Sequence, residues 1–149
     1  FLSWSNNLTW RNFDLSVFFR GTFGFDVFNM RKYGMGLQGC GTDNVLRSAY
    51  LEDKNIRTGG GVISSYFLED GSFIKLENVT LGYNFTPKNR KLLDNMRIYL
   101  SAKNLFTLTG YSGNDPSIID VNGIQPGVDS NSAYPTATQL SLGVTLRFK

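Results

Sequence analysis

Hydrophobic and polar residues alternate with a period of two in four segments of the chain, residues 13–23, 78–85, 97–108 and 138–148. On one face of these segments 19 of 22 positions are apolar, whereas on the opposite face only 3 of 20 are apolar. A period of two is typical of β-strands with one apolar face, and the spacing of a helix fits none of the segments. The pattern therefore predicts antiparallel strands in an all-β fold.

Two further features extend this pattern. Residues 2–10 form a weaker fifth strand, in which Asn6 interrupts an otherwise apolar face. Before Val79 the phase of the alternation slips, and a β-bulge near Glu77–Asn78 would reconcile the two halves of that strand. We therefore expect five strands, and their approximate bounds are 2–10, 13–24, 73–86, 96–108 and 138–148.

The connections between these strands are alternately short and long. Residues 11–12 and 86–95 form short turns, whereas residues 25–72 and 109–137 form long loops rich in polar residues and glycine. In an up-and-down sheet both short turns lie on one side and both long loops on the other. Outer-membrane barrels have this asymmetry, with short periplasmic turns and longer extracellular loops.

Aromatic residues mark both ends of the predicted strands, as the two aromatic girdles of a membrane barrel do. A soluble β-sandwich binding module, for example one that binds carbohydrate, is the alternative, because its apolar faces would meet in a core. A porin-like or adhesin barrel is a third possibility. The aromatic residues at the short-turn ends are Trp10, Phe13, Phe85 and Phe148, and those at the long-loop ends are Phe23, Phe73 and Phe106.

Composition excludes several classes of protein. Charged residues make up 18% of the chain, below the roughly 25% of soluble domains, and aromatic residues make up 14%. With no His and one Cys, a disulfide within the chain is impossible, and a zinc site or a His-based triad is improbable. The net charge of +3 is mild, and the small cluster of Lys88, Arg90 and Lys91 is typical of a solvated turn. We expect no nucleic-acid partner and no cofactor.

Nothing in the sequence predicts catalysis. Glu69 and Asp70 are adjacent carboxylates in a loop without a basic partner of fitting spacing, so we expect them to be solvated. The Gly59–Gly61 run lacks the Lys-Ser/Thr of a phosphate-binding loop and predicts a flexible loop. Cys40, between two glycines, is expected to be a free thiol. No metal site is predicted.

Five strands cannot close a membrane barrel, since the smallest such barrels have eight. An open sheet would leave unpaired backbone groups in hydrocarbon, at a cost of several kcal/mol each. The chain begins at Phe1, next to a predicted strand. We therefore expect further strands to come from a preceding segment or from other subunits.

Three stretches of the chain resemble one family. They are Ser65–Phe85, which reads SYFLEDGSFIKLENVTLGYNF, then Arg97–Pro116, which contains KNLFT followed by GYSGNDP, and finally Tyr134-Pro135 with the terminal strand to Phe148. Together they look like the C-terminal end of SusC/RagA-type TonB-dependent transporters of Bacteroidetes outer membranes. One departure is that Lys149 follows the final aromatic residue, whereas outer-membrane barrels usually end on it.

The resemblance implies a fold, a location and partners. The five strands would be the last of a 22-stranded barrel in the bacterial outer membrane, with residues 25–72 and 109–137 outside the cell and the plug domain outside this chain. The intact transporter would import glycans or oligopeptides, with a SusD-like lipoprotein as its lid. The TonB complex would act through the plug, and the remaining barrel strands and outer-membrane lipid would be the other partners.

The resemblance also suggests functional residues. The polar faces of the strands would line the lumen and pack on the plug, and loop aromatics or acids would contact a ligand or the lid. The lumen-facing candidates are Asp14, Arg20, Arg97, Lys103, Gln139 and Arg147. The loop candidates are Phe67, Tyr111, Asp115 and Tyr134.

Overall fold

The structure, a computed structural model, describes residues 1–37, 44–51, 62–87, 93–118, 127–130, 134 and 136–149. Cys40, the Gly59–Gly61 run and the basic cluster of Lys88, Arg90 and Lys91 lie outside the described residues. The chain divides into two compact units. The first comprises Phe1–Thr22, Ile74–Leu108 and Ala137–Lys149, and the second comprises Phe23–Phe73 and Thr109–Thr136.

Strands dominate the described part of the chain. In chain order they are β1 (Leu2–Trp10), β2 (Phe13–Thr22), β3 (Asp26–Asn29), β4 (Leu68–Asp70), β5 (Phe73–Phe85), β6 (Leu93–Thr109), β7 (Val128–Asp129) and β8 (Gln139–Phe148). Two short helices are α1 (Met30–Met35) and α2 (Ser48–Leu51), and single 3₁₀ turns cover Ser65–Phe67 and Pro116–Ile118. The predicted all-β, antiparallel character is confirmed. Among the described residues no helix has the length and apolarity needed to cross a bilayer.

The first unit is one five-stranded sheet with the order β1-β2-β5-β6-β8. β1 and β2 form an antiparallel hairpin in which Trp4 lies opposite Phe19 and Leu8 opposite Leu15. The hairpin closes through Arg11, whose left-handed φ of 53° suits a tight turn. β6 pairs with β8 in the same antiparallel manner. Each of the long strands predicted from the alternation therefore has a counterpart in this sheet.

The register puts apolar residues opposite apolar residues on one face of the sheet. In the β6–β8 pair Ile98 faces Val144 and Leu100 faces Leu142, whereas on the other face Ser101 is opposite Ser141. A shift of one residue would move every one of these side chains to the other face, so the alternation itself fixes the register.

Two positions depart from a regular strand. Glu77 and its neighbour Asn78 both bond to polar side chains, Arg20 and Ser101 respectively. Successive residues of a regular strand point to opposite faces, so these contacts agree with the irregularity expected there. Asn104, expected on the apolar face of β6, instead has a left-handed φ of 52°, and its amide donates to the carbonyl of Ala137. Asn tolerates this conformation better than most residues.

The second unit shows that the two predicted long loops contain ordered structure. β3 pairs antiparallel with β4 and parallel with β7, which gives a three-stranded sheet of order β4-β3-β7. Its core holds buried Val27, Leu37, Ala49 and Phe67. The segments 25–72 and 109–137, expected to be long loops, thus contain short strands and helices and form a small core of their own.

Candidate functional site

A bridge of charged side chains crosses the polar face of the five-stranded sheet. The Asp14 carboxylate on β2 accepts from Nε of Arg97 on β6 at 3.1 Å, and Nη2 of the same guanidinium donates to its second oxygen. The amide of Asn84 on β5 donates to Asp14 at 2.8 Å. Because both oxygens of the carboxylate are engaged, its orientation on this face is fixed.

The remaining predicted lumen-facing residues lie elsewhere on these strands. Arg20 pairs with Glu77 at 3.0 Å. Lys103 and Gln139 are register partners at one end of the β6–β8 pair. Arg147 lies opposite Asn95 at the other end. Of the six candidates, Asp14 and Arg97 bond to one another, and Arg147 shares a depression with Arg97.

A shallow depression of about 200 Å³ adjoins the Asp14–Arg97 bridge. Its described lining residues include two arginines, whose guanidinium groups stand beside the alkyl parts of the neighbouring side chains. The lining residues are Asn84, Asn95, Arg97, Thr145 and Arg147.

The second unit contains a polar network centred on Glu69. The carboxylate accepts from the hydroxyl of Ser112 at 2.8 Å and from its backbone N–H at 2.9 Å, and Lys32 Nζ lies 3.5 Å away. Partial burial tends to raise the pKa of Glu69, but the Ser112 bonds and Lys32 outweigh it and lower the pKa below its usual value. The network holds Glu69 ionised. The expectation that Glu69 is a solvated loop charge was therefore wrong, whereas Asp70 is exposed.

Three of the four predicted loop candidates take part in internal packing. Phe67 is only 3% exposed and packs against the rings of Phe28, Tyr33 and Tyr66. Tyr111 is 6% exposed, and its hydroxyl donates to Asp129 at 2.6 Å.

Asp115 is also 6% exposed. It accepts from the backbone N–H of Ser117 at 2.9 Å and from the hydroxyl of Thr136. Phe67, Tyr111 and Asp115 are thus engaged by groups of their own unit, and their contact with a ligand or lid stays a prediction. Tyr134, 87% exposed, remains available.

Sequence reasoning missed a second cavity, of about 360 Å³, within the second unit. It is lined by Asn29, Arg31, Lys32, Leu46, Arg47, Ser48 and Ser112. One signal was available in the sequence, since Asn29 is a good N-cap residue: its side chain accepts from the N–H of Lys32 at 2.8 Å and starts α1. The other residues belong to segments too short to show a periodic pattern.

Within the described ranges no group of three or more His, Cys, Asp or Glu could hold a metal ion. Within each unit, several polar side chains bond to one another, as Asp14 does to Arg97 and Glu69 to Ser112.

Individual proteins are similar to the chain, although no protein-family model matches it. TonB-dependent receptor P3 of Formosa agariphila is 26% identical over 168 residues, which cover 99% of this chain and 16% of that protein. TonB-dependent receptor SusC of Bacteroides thetaiotaomicron is 28% identical over 153 residues, which cover 97% of this chain and 14% of that protein. The chain thus spans about a sixth of the length of these relatives.

Solved structures agree with the sequence relatives. The RagAB peptide importer in its closed-closed state matches with a TM-score of 0.73 and 26% identity, over 93% of this chain and 16% of the matched chain. The open-open state of the same importer matches in fold with a TM-score of 0.75 at 24% identity, over 97% of this chain. Over nearly its whole length the chain is therefore similar, in sequence and in fold, to part of the SusC/RagA-type TonB-dependent transporters.

Proposed function

We propose that this chain forms part of the wall of an outer-membrane import barrel. Its apolar sheet face meets lipid and its polar face lines the lumen. Residues 25–72 and 109–137 lie on the extracellular side. The chain itself performs no catalysis in this proposal.

One observation carries the proposal: the large apolar side chains of the five-stranded sheet are exposed instead of forming a core. On β8 alone Leu140, Leu142 and Val144 are between 57% and 75% exposed, and Trp4 and Trp10 on β1 are more than half exposed. Exposed apolar areas of this extent mark contact with lipid or with another protein. The opposite face carries the Asp14–Arg97 bridge and other polar side chains, as the lumen face of a barrel strand does.

The proposed activity is energised import of glycans or oligopeptides. SusC and the RagAB peptide importer are the relatives that support it. In this proposal a SusD-like lipoprotein covers the extracellular side. The TonB complex acts through a plug in the remainder of the transporter, and further strands complete the barrel. The relatives favour this function over a soluble carbohydrate-binding sandwich.

Site-directed labelling tests the placement of the two faces. In a Cys40→Ser background of the protein expressed in outer membranes, Leu142→Cys should react with a lipid-phase reagent and resist a membrane-impermeant one. Thr145→Cys, on the opposite face of the same strand, is the matched variant and should show the reverse preference. Protection of Leu142→Cys from both reagents would instead support a soluble sandwich, because its apolar face would be buried in a core.

A transport measurement tests the energy coupling. Uptake of a radiolabelled oligosaccharide or oligopeptide mixture should fall to background when TonB is deleted from the host. Uptake that persists without TonB would contradict this proposal and support a porin-type barrel.

Native mass spectrometry of the detergent-extracted particle tests the partners. The proposal expects this particle to contain a lipoprotein and the strands that complete the barrel.

A further inference from the structure

The cavity of about 360 Å³ in the second unit is strongly cationic. Three of its seven described lining residues are Arg31, Lys32 and Arg47, and none is acidic. The volume lies at the lower end of the roughly 300–1,000 Å³ of small-molecule sites. It therefore fits a small ligand or one charged group of a larger ligand.

Lys32 is the one cation of the three whose charge is already balanced. Its Nζ lies 3.5 Å from the Glu69 carboxylate and 4.4 Å from the centre of the Tyr66 ring. Glu69 belongs to the network behind the cavity and is not among the residues that line it. Because Glu69 balances the charge of Lys32, Arg31 and Arg47 carry the remaining positive charge among the described lining residues.

Both arginines retain donors for a ligand. Arg31 uses Nη1 to donate to Asn114 at 2.8 Å, which leaves most of the five N–H groups of its guanidinium. The Arg47 side chain is exposed and makes no hydrogen bond or ion pair with the part of the chain that the structure describes. Among the described residues, no carboxylate lies at hydrogen-bond distance from either guanidinium group.

The wall beside these cations is fixed by internal bonds. Asn29, which is 2% exposed, donates to the hydroxyl of Ser112 at 3.1 Å, and that hydroxyl donates to Glu69. Asn29 also caps α1, which carries Arg31. Ser48 supplies a further hydroxyl at the edge of the cavity. The network therefore fixes the wall that Asn29 and Ser112 form.

We propose that this cavity is an oxyanion-binding site that accepts a carboxylate, sulfate or phosphate group. Arginine forks match the paired oxygens of such groups and form short, charge-assisted hydrogen bonds with them. A neutral ligand would leave the two arginine charges without a counter-charge. The site goes beyond the import function proposed above and does not require it.

Direct titration of the purified, detergent-solubilised protein tests the site. Sodium sulfate, sodium phosphate and sodium acetate are the probes, each followed by isothermal calorimetry at constant ionic strength. At least one oxyanion should bind saturably with one site per chain. Binding of sulfate and phosphate alone assigns a tetrahedral group, and binding of acetate assigns a carboxylate.

Matched variants locate the binding. Arg31→Gln and Arg47→Gln should each weaken binding at least tenfold, whereas Arg11→Gln, which removes an exposed cation from the β1–β2 turn of the first unit, should leave it unchanged. Circular dichroism and heat-modifiable migration on gels check that each variant is folded. Absence of saturable binding, or equal losses in all three variants, would overturn the proposal. Because no uptake is measured, failure of the import function would not affect this result.

Discussion

Asp14 and Arg97 bond to each other across a strand that neither belongs to. Asp14 is on β2 and Arg97 on β6, and β5 lies between these strands in the sheet. Gly82 on β5 sits beneath the bridge, where a Cβ would come within 2.5 Å of both carboxylate oxygens. The missing side chain at this position gives the two charged groups the space in which they meet.

A double-mutant cycle should measure this bridge. Asp14→Asn and Arg97→Gln should each lower the free energy of unfolding by about 1 kcal/mol. The loss in the double variant should be much smaller than the sum of the two single losses. Charged hydrogen bonds are often stronger than this, but both side chains are partly open to water, which weakens the pair. Urea unfolding of the vesicle-reconstituted protein, followed by tryptophan fluorescence, gives the energies.

Arg147→Gln is the control for the cycle. It removes a cation from the same polar face, and the Arg147 side chain bonds to neither Asp14 nor Arg97. Its effect should be within about 0.5 kcal/mol of zero. Simple additivity of Asp14→Asn and Arg97→Gln would contradict the coupling.

Gly82→Ala should disturb the same bridge, because there is no room for a Cβ atom between β5 and the Asp14 carboxylate. The new Cβ would push against the Asp14 carboxylate, which Arg97 and Asn84 hold in place, so we expect a loss of about 1 kcal/mol in the free energy of unfolding. Gly110→Ala is the matched control, since no atom lies within 4 Å of its Cβ position.

Combining the glycine variant with Asp14→Ala identifies the cause of the loss. When the carboxylate is removed, the added methyl group has nothing to displace, and Gly82→Ala should then cost little. If Gly82→Ala lowered the free energy of unfolding as much in the Asp14→Ala background as in the wild type, the strain would not come from the Asp14 carboxylate. The measurement is the same urea titration.

The five-stranded sheet could be predicted because alternation reports directly which side of a strand each residue faces. Leu140, Leu142 and Val144 share a parity and therefore a face, and this holds whatever partner the strand has. The Asp14–Arg97 bridge could not be predicted in the same way. The sequence puts both residues on polar faces, but their contact depends on the order of three strands and on Gly82.

The second unit escaped prediction because its strands are too short to show a period. β3 has four residues, β4 three and β7 two, and the parallel β3–β7 pair joins residues about a hundred positions apart. Phe67 and Tyr111 were expected to contact a ligand or the lid because they lie in predicted loops, which often carry binding residues. Their burial shows that these loops hold enough apolar residues to form a core.

Tyr111 should make the second unit sensitive to alkaline pH. Burial, and then the hydrogen bond to the Asp129 carboxylate, raise its pKa above the usual value of 10.0. Above that pH the unfolded chain loses the tyrosine proton while the folded chain keeps it. Stability from this group is therefore full below pH 10 and falls as the pH rises further.

Tyr111→Phe should cost about 1–3 kcal/mol at pH 8, because it leaves the buried Asp129 carboxylate without its donor. The gap between wild type and variant should narrow above pH 10. Urea titrations from pH 8 to pH 11, read by pulse proteolysis within residues 109–130, provide the measurement. Tyr134→Phe, at an exposed position, should change the free energy of unfolding neither at pH 8 nor above pH 10. If the difference between wild type and Tyr111→Phe stayed constant with pH, the raised pKa of Tyr111 would be contradicted.

Leu142→Arg should strongly impair assembly of the sheet in a membrane. Leu142 is 75% exposed on the apolar face of β8, and an arginine on the lipid face costs about 2–4 kcal/mol near the bilayer midplane. Ser141→Arg is the matched control, because Ser141 is the preceding residue of the same strand and pairs with Ser101 on the polar face. Folding of each variant into vesicles of defined thickness, followed by heat-modifiable migration on gels, measures the difference. Equal tolerance of arginine at both positions would mean that lipid does not contact the apolar face, and the import barrel would then lose its main support.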